Sequence, residues 1–310
     1  MVDMEKIKIA IVGFGNVGLM AMDAVSQEPD MELAGIVELL NLDKIKSAMN
    51  PVQCCKFGET KVVTNINELG KVDVALVCTP SRKVKDMVSE YLRLGINTVD
   101  SFDIHTEIPS LKNYLDKIAK ENNAVSIISA GWDPGIDSVI RGWFLAMAPK
   151  GITHTNFGPG MSMGHTCAVK DIPGVKNALS VTVPAGMGVH RRMVYVELLP
   201  DAKFDEVEIT IKNDPYFIKD RTYVYEVPNV NDLIDVGHGV SMERKGVSGV
   251  IHNQSMKFEL RINNPALTSQ VMVSAARAAM KQSSGCYTMI EVPVIDFLHG
   301  DLETFVSNLV

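Results

Sequence analysis

The run Ile7-Lys-Ile-Ala-Ile-Val12 passes directly into Gly13-Phe14-Gly15-Asn16-Val17-Gly18, and Leu19-Met20-Ala21-Met22 can continue as a helix. No other stretch of the chain limits its fold so strongly. Gly13 allows a tight turn, Gly15 lets the backbone approach phosphate oxygens without a Cβ in the way, and Gly18 lets strand and helix pack closely. The free N–H groups and positive dipole end of the new helix then face an anion. A glycine triplet alone would be weak evidence. Its place after a strand-like run, at a helix start and near the first residue, points to a dinucleotide fold in which Gly13 to Gly18 hold the pyrophosphate. The alternative is a tight strand-to-helix turn with no ligand.

Strand and helix patterns keep alternating through the first 150 residues. Short apolar runs at Leu33–Val37, Lys61–Thr64, Val72–Cys78, Asn97–Val99 and Ala124–Ser129 read as strands. Val84, Met87, Val88, Tyr91, Leu92 and Leu94, then Leu111, Leu115 and Ile118, recur at helical spacing. This βαβ alternation predicts an α/β fold with a Rossmann-type doubly wound parallel sheet, and ligands at the carboxyl ends of its strands. Beyond about residue 150 the runs are longer: Ala178–Val183, Met193–Leu198, Thr222–Tyr225 and Met256–Ile262. Glycine-rich turns are expected at Gly186–Gly188, Gly237–Gly239 and Gly246, and a helix over Asp205–Asn213. A second α+β domain with a mixed or antiparallel sheet follows, over residues 131–264. The alanine-rich segment Pro265–Gln282 is expected to return as a helix, so that 1–130 and 265–310 form the dinucleotide-binding domain.

Composition excludes some partners. The net charge of −7 argues against nucleic acid, which favours a basic face. No apolar run reaches the length of about 18 residues that reads as a membrane span. The charged start Met1–Lys6 leads straight into the first strand, so no signal peptide is expected. Cys54, Cys55, Cys78, Cys167 and Cys286 are odd in number and scattered. They read as reduced thiols of a cytoplasmic protein, with no metal site.

Glu38 follows the second strand, where Rossmann sites place an acid against the ribose 2′-OH. A carboxylate there repels a 2′-phosphate, which predicts NAD over NADP, although Lys44 and Lys46 could reach a phosphate if their loop folds back. Thr79-Pro80-Ser81-Arg82-Lys83, at the end of the fourth strand, is expected under the nicotinamide half. Ser129-Ala-Gly-Trp132-Asp133-Pro-Gly135 ends another strand. Trp132 offers a flat apolar wall and Asp133 a carboxylate, while Asp103 lies at the neighbouring strand end. Each aspartate alone is more often a cap or turn residue. Together they would suit an ammonium and could take its proton before hydride leaves carbon. Asn156–His165, His190-Arg-Arg192, Gly237-His-Gly239 and Asn263-Asn-Pro265 add polar groups, and a substrate carboxylate favours a forked guanidinium.

On Val12–Gly18, Val99-Asp-Ser-Phe-Asp-Ile-His105, Ser129–Gly135, Asn156-Phe-Gly-Pro-Gly-Met-Ser-Met-Gly-His165, Ile172-Pro-Gly174 and Asn264-Pro265, the chain resembles the meso-diaminopimelate dehydrogenase family over essentially its whole length. Met163 and the short Thr182–His190 connection resemble the branch that also takes other D-amino acids. The resemblance implies NADP-dependent oxidative deamination of meso-2,6-diaminopimelate to L-2-amino-6-oxopimelate and ammonium, a homodimer, and a place in lysine and cell-wall precursor synthesis. It implies that Asp103 and Asp133 hold the reacting D-amino group beside Trp132. Phe157 (Trp in part of the family), Met163 and Gly164 would line the D-carboxylate end. Thr182, Arg192, His238 and Asn264 would bind the distal L-centre, with Arg192 the main clamp, and Phe14 to Val17 the pyrophosphate. The family usually has arginines after the second strand; Glu38-Leu39-Leu40 stands there instead, which predicts relaxed or NAD-leaning use. Two other readings are a reductase of the dihydrodipicolinate or homoserine type and a nucleotide sensor without turnover.

Overall fold

The computed structural model describes residues 5–38, 58, 60–233 and 237–310. Lys44, Lys46, Leu39, Leu40, Cys54 and Cys55 lie outside them. Two units result: residues up to 139 with 265–310, and residues 140–264. The first crossing falls inside a helix (α4 below), so Trp132 and Asp133 belong to the nucleotide-binding unit.

The first unit runs β1 (Ile7–Val12), α1 (Asn16–Val25), β2 (Met31–Val37), β3 (Val62–Val63), β4 (Val74–Val77), α2 (Ser81–Arg93), β5 (Asn97–Asp100), α3 (Ile108–Glu121), β6 (Val125–Ile127) and the start of α4 (Ile136–Met147). It resumes with α7 (Asn264–Ala279), β14 (Gly285–Tyr287) and α8 (Leu302–Leu309). The sheet has the order β14-β6-β5-β4-β1-β2-β3 and is parallel throughout. Successive residues of a strand face opposite sides, and the apolar runs use both. Ile9, Ile11, Val74 and Leu76 pack with α1 and α7, whereas Ala10, Val12, Ala75 and Val77 pack with α2 and α3. That is why β1 and β4 read as unbroken apolar runs rather than alternating ones. Val12 pairs with Val37 and Val77, and Val77 with Asp100. The glycine turn, Glu38, Thr79 and the segment before Asp103 therefore emerge along one edge, with the switch in strand order between β1 and β4.

The second unit contains β7 (Lys150–Phe157), β8 (Gly160–Met161), α5 (Met163–Lys170), β9 (Val175–Gly186), β10 (Val189–Leu198), α6 (Phe204–Asn213), β11 (Arg221–Glu226), β12 (Gly237–Ser248) and β13 (Ile251–Asn263). They form two sheets. One, of order β11-β10-β9-β8, is mixed because β10 and β11 run parallel; the other, β13-β12-β7, is antiparallel. Ala168, Val169, Val207 and Ile211 of the helices pack on Val194, Val196 and Val224 of the mixed sheet. Gly186–Gly188 turns the β9–β10 hairpin as expected. Gly237–Gly239 and Gly246 do not turn: they lie within β12. Gly239 and Gly246 serve there as points of close approach, since a Cβ would fall 2.5 Å from Leu260 O and 2.4 Å from Lys150 O respectively.

Candidate active site

In the first unit, the glycine turn has the shape a pyrophosphate needs. A Cβ at Gly18 would fall 2.2 Å from the Gly13 carbonyl oxygen, so Gly18 is there for packing. A Cβ at Gly15 would meet nothing within 4 Å, so the space beyond it is open to an anion at the start of α1, where Asn16 and Val17 follow. Ser269 on α7 donates to the Val17 carbonyl at 2.8 Å and fixes that first turn. The Phe14 N–H donates to Glu38 Oε2 at 2.6 Å, so the acid that ends β2 is tied to the turn. Thr79 packs against Gly13, and its buried hydroxyl has no partner among the described residues. These features fit a dinucleotide. Replacing Gly15 by alanine is expected to leave the melting temperature unchanged and weaken nucleotide binding about tenfold or more, read by fluorescence titration of the reduced cofactor.

The segment Thr79–Lys83 divides. Pro80 precedes α2, and rotation of the helix sends its first residues in different directions. Ser81 donates to Asp103 Oδ1 at 2.6 Å, and Asp103 N–H returns a bond to Ser81 Oγ at 3.2 Å. Arg82 and Lys83 instead line a cavity of about 330 Å³ with Val37, Thr64, Asn65 and Tyr91, at the ends of β2 and β3. Sequence reasoning expected all five under the nicotinamide half; two of them stand on the side of Glu38. Trp132 is buried and Asp133 half-buried in a turn closed by Gly131 N–H to Pro134 O (3.0 Å) and Ile136 N–H to Gly131 O (3.1 Å). Asp103 and Asp133 thus leave neighbouring strands β5 and β6 at the same edge of the sheet.

The second unit gathers a polar set of its own. Arg192 on β10 pairs across the hairpin with Thr182 on β9. Its Nη1 donates to Thr182 Oγ1 and its Nε to Asp220 Oδ2, the latter at 2.7 Å. Asp220 precedes β11, which runs parallel to β10 with Arg192 opposite Thr222. Sequence reasoning missed Asp220: only the β10–β11 pairing brings it to Arg192, and nothing local marks it. Gly158 and Gly160 carry the chain between strands. A Cβ on the first would fall 2.2 Å from Thr182 O, and on the second 2.2 Å from Gly237 O. Their close approach sets the start of β12, with His238, beside β9. His238 is buried, and desolvation pushes its pKa down to about 4, with the Arg192 charge acting the same way. It is a neutral donor or acceptor at neutral pH, so anionic groups are left to Arg192. Burial and Arg192 also lower His190, whose Nε2 accepts the Phe157 N–H at 2.8 Å. Asn156 accepts Gly188 N–H at 2.9 Å, so the hairpin turn is latched to the end of β7. Met163 and Gly164 open α5; Asn264 is buried at the start of α7. His165, between Ser162 Oγ (2.8 Å) and Tyr216 O (2.9 Å), braces α5 against the segment that leads to Asp220.

Among the described residues no cluster of acids, histidines and cysteines could hold a metal, and no helix is long and apolar enough to cross a membrane. A Rossmann sheet with a phosphate-shaped turn, and paired carboxylate-bearing loops at adjacent strand ends, belongs to the nucleotide-dependent oxidoreductases. Comparison with known proteins bears this out: residues 7–128 match the oxidoreductase family with an NAD-binding Rossmann fold, and residues 131–264 match the diaminopimelic acid dehydrogenase C-terminal domain. The chain is 56% identical to the meso-diaminopimelate D-dehydrogenase of Bacteroides fragilis over 99% of its length and 100% of that protein, and 33% identical to that of Lysinibacillus sphaericus over 94% and 95%. Among solved structures, the C. glutamicum DAP dehydrogenase in complex with DAP superposes with a TM-score of 0.86 at 26% identity, covering 99% of this chain and 100% of that one. An engineered D-amino acid dehydrogenase bound to NADP+ gives 0.86 at 25%, covering 98% and 100%. The chain belongs to the meso-diaminopimelate D-dehydrogenase family. It is an NAD(P)-dependent amino-acid dehydrogenase, and the reductase and nucleotide-sensor readings give way to it.

Proposed function

We propose that the chain oxidatively deaminates the D-centre of meso-2,6-diaminopimelate. Substrate, water and NAD(P)+ give L-2-amino-6-oxopimelate, ammonium, NAD(P)H and a proton, reversibly, and other D-amino acids are accepted. The observation that carries this reading is Arg192, held by Thr182 and Asp220 with its Nη2 edge without a partner among the described residues. A guanidinium fixed on one side presents its other side as a fork for a carboxylate. Thr182, Arg192, His238 and Asn264 bind the distal L-centre, and Phe157, Met163 and Gly164 line the D-carboxylate end. Asp103 and Asp133 hold the reacting ammonium beside Trp132; one of them takes its proton and water then displaces ammonia from the oxidised carbon. When bound, the nicotinamide accepts the hydride. Gly13 to Gly18 hold the pyrophosphate, and Thr79, Pro80 and Ser81 lie under the nicotinamide half.

Glu38 reads as the ribose-diol acceptor. Its carboxylate opposes a 2′-phosphate, and the neighbouring cavity sets Arg82 and Lys83 against Asp86 and Glu90, so its charges balance. We therefore expect relaxed or NAD-leaning use. The test is kcat/KM for both nucleotides against a D-amino-acid panel with ammonia measured. A preference for NADP of about a hundredfold, or about 2.7 kcal/mol, would show that Glu38 has been misread. Glu38→Ser should move the ratio towards NADP. Reduction of a cyclic dihydrodipicolinate-type substrate without ammonia turnover would overturn the deaminase reading itself.

The assembly is proposed as a homodimer in the cytoplasm. Trp143 and Met147, one turn apart on α4, are exposed in the second unit, Trp143 by 60%, and a second copy would cover such a face. Light scattering reads the state; a monomer at micromolar concentration would remove it.

A further inference from the structure

Asp100 closes β5 and is wholly buried. Its Oδ1 accepts two backbone N–H groups, from Phe102 at 2.9 Å and from Ser129 at 3.1 Å. Its carbonyl oxygen accepts a third, from Ala130 at 2.7 Å. Phe102 leads to Asp103; Ser129 and Ala130 lead to the Trp132–Asp133 turn. One residue at the end of one strand thus grips both loops. The grip on Ser129 is the telling one. Ser129 has a φ of +56°, in the left-handed region that favours glycine, and is held there without being glycine. Its hydroxyl and Asp100 Oδ2 are buried with no partner among the described residues. Desolvation pushes the Asp100 carboxyl up to about 6, against the pull of its two N–H partners. A residue chosen for packing would be apolar here, as its neighbour Val99 is. Such cost at a buried position is what positioning of a site can explain.

We propose that Asp100 is a positioning residue that sets the Asp103 loop against the Trp132–Asp133 turn. This rests on the reading that those aspartates handle the amine. The loops must hold the reacting carbon to within a fraction of an ångström for hydride transfer, and a bracket shared by both serves that need.

The experiment uses Asp100→Asn, Asp100→Ala and Asp100→Ala/Ser129→Gly, with a D-amino acid carrying hydrogen or deuterium at its α-carbon. In Asp100→Asn the amide oxygen can still accept both N–H groups, so melting temperature and nucleotide Kd should stay at wild-type values. Asp100→Ala should lose kcat at least tenfold with nucleotide Kd changed less than twofold, and show a larger deuterium effect as the hydride step becomes limiting. Adding Ser129→Gly should recover part of kcat, since glycine takes the turn without the carboxylate. Wild-type kcat in Asp100→Ala, a kcat loss matched by equal loss of nucleotide binding and melting temperature, or no recovery in the double variant would each overturn the proposal. Where Asp100→Ala fails to fold, Ser129→Ala and Ser129→Gly replace it: Ser129→Gly must keep kcat, and equal loss in both overturns the bracket. Normal turnover in Asp133→Asn would instead sink the amine reading, and is read separately.

Discussion

Asp133→Asn is expected to lower kcat about 10²–10⁴-fold, the range that a positioned proton acceptor contributes, while nucleotide Kd stays near wild type. The substitution keeps size and shape in a turn that is closed by backbone bonds, Gly131 N–H to Pro134 O and Ile136 N–H to Gly131 O. The fold therefore has little reason to change, and a stopped-flow measurement with a D-amino acid reads the chemistry alone. Asparagine can still accept a hydrogen bond from an ammonium but carries no charge to hold it and cannot take its proton. Asp103 supplies a second carboxylate, held by Ser81, so Asp103→Asn should cost less if it only orients the amine. Near-wild-type turnover in Asp133→Asn would remove that aspartate from the reaction.

Arg192→Ala is expected to lower kcat/KM for meso-diaminopimelate by about 2–5 kcal/mol, the cost of truncating one partner of a desolvated charge pair, and to spare D-alanine. The dissociation rests on geometry. Arg192 sits with Thr182 and Asp220, and a short D-amino acid has no distal carboxylate for it. Lysine is not a conservative replacement, because it offers a point charge in place of a planar fork. Removing Arg192 also leaves Asp220 without its cation, so part of the loss could come from the folded state. Arg192→Ala/Asp220→Asn separates the two: it should recover any lost melting temperature but not the lost kcat/KM. Equal losses for both substrates would argue against a distal clamp.

How much of this was legible in the sequence depends on distance along the chain. The strand–glycine turn–helix at Ile7–Val25, the helical spacing of Val84, Val88 and Leu92, and the closed turn after Ser129 are local events. They rest on residues a few positions apart, so their patterns survive in one dimension. The segments that misled are those whose conformation is set by distant neighbours. Gly237–Gly239 carries turn-like residues, yet pairing with Asn263, Ile262 and Arg261 of β13 draws it into β12. Arg82 and Lys83 follow directly on Ser81 but are turned by α2 towards the ends of β2 and β3. Asp220 carries no local mark, since its partner Arg192 stands 28 residues away, and His190, though marked by its place beside Arg192, finds its partner Phe157 at a separation of 33.

The chain's residues by themselves determined the nucleotide turn, the parallel sheet behind it and the kinds of side chain available for an amino-acid substrate. These follow from backbone conformation and apolar spacing, which neighbouring residues impose on one another. Tertiary structure alone decided which groups face each other: Asp220 against Arg192, His190 against Phe157, Glu38 against Phe14, and Asp100 between two loops. Each of these pairs is made by strands or loops that meet only after folding, and hydrogen bonding acts over about 3 Å in space, whatever the separation in sequence.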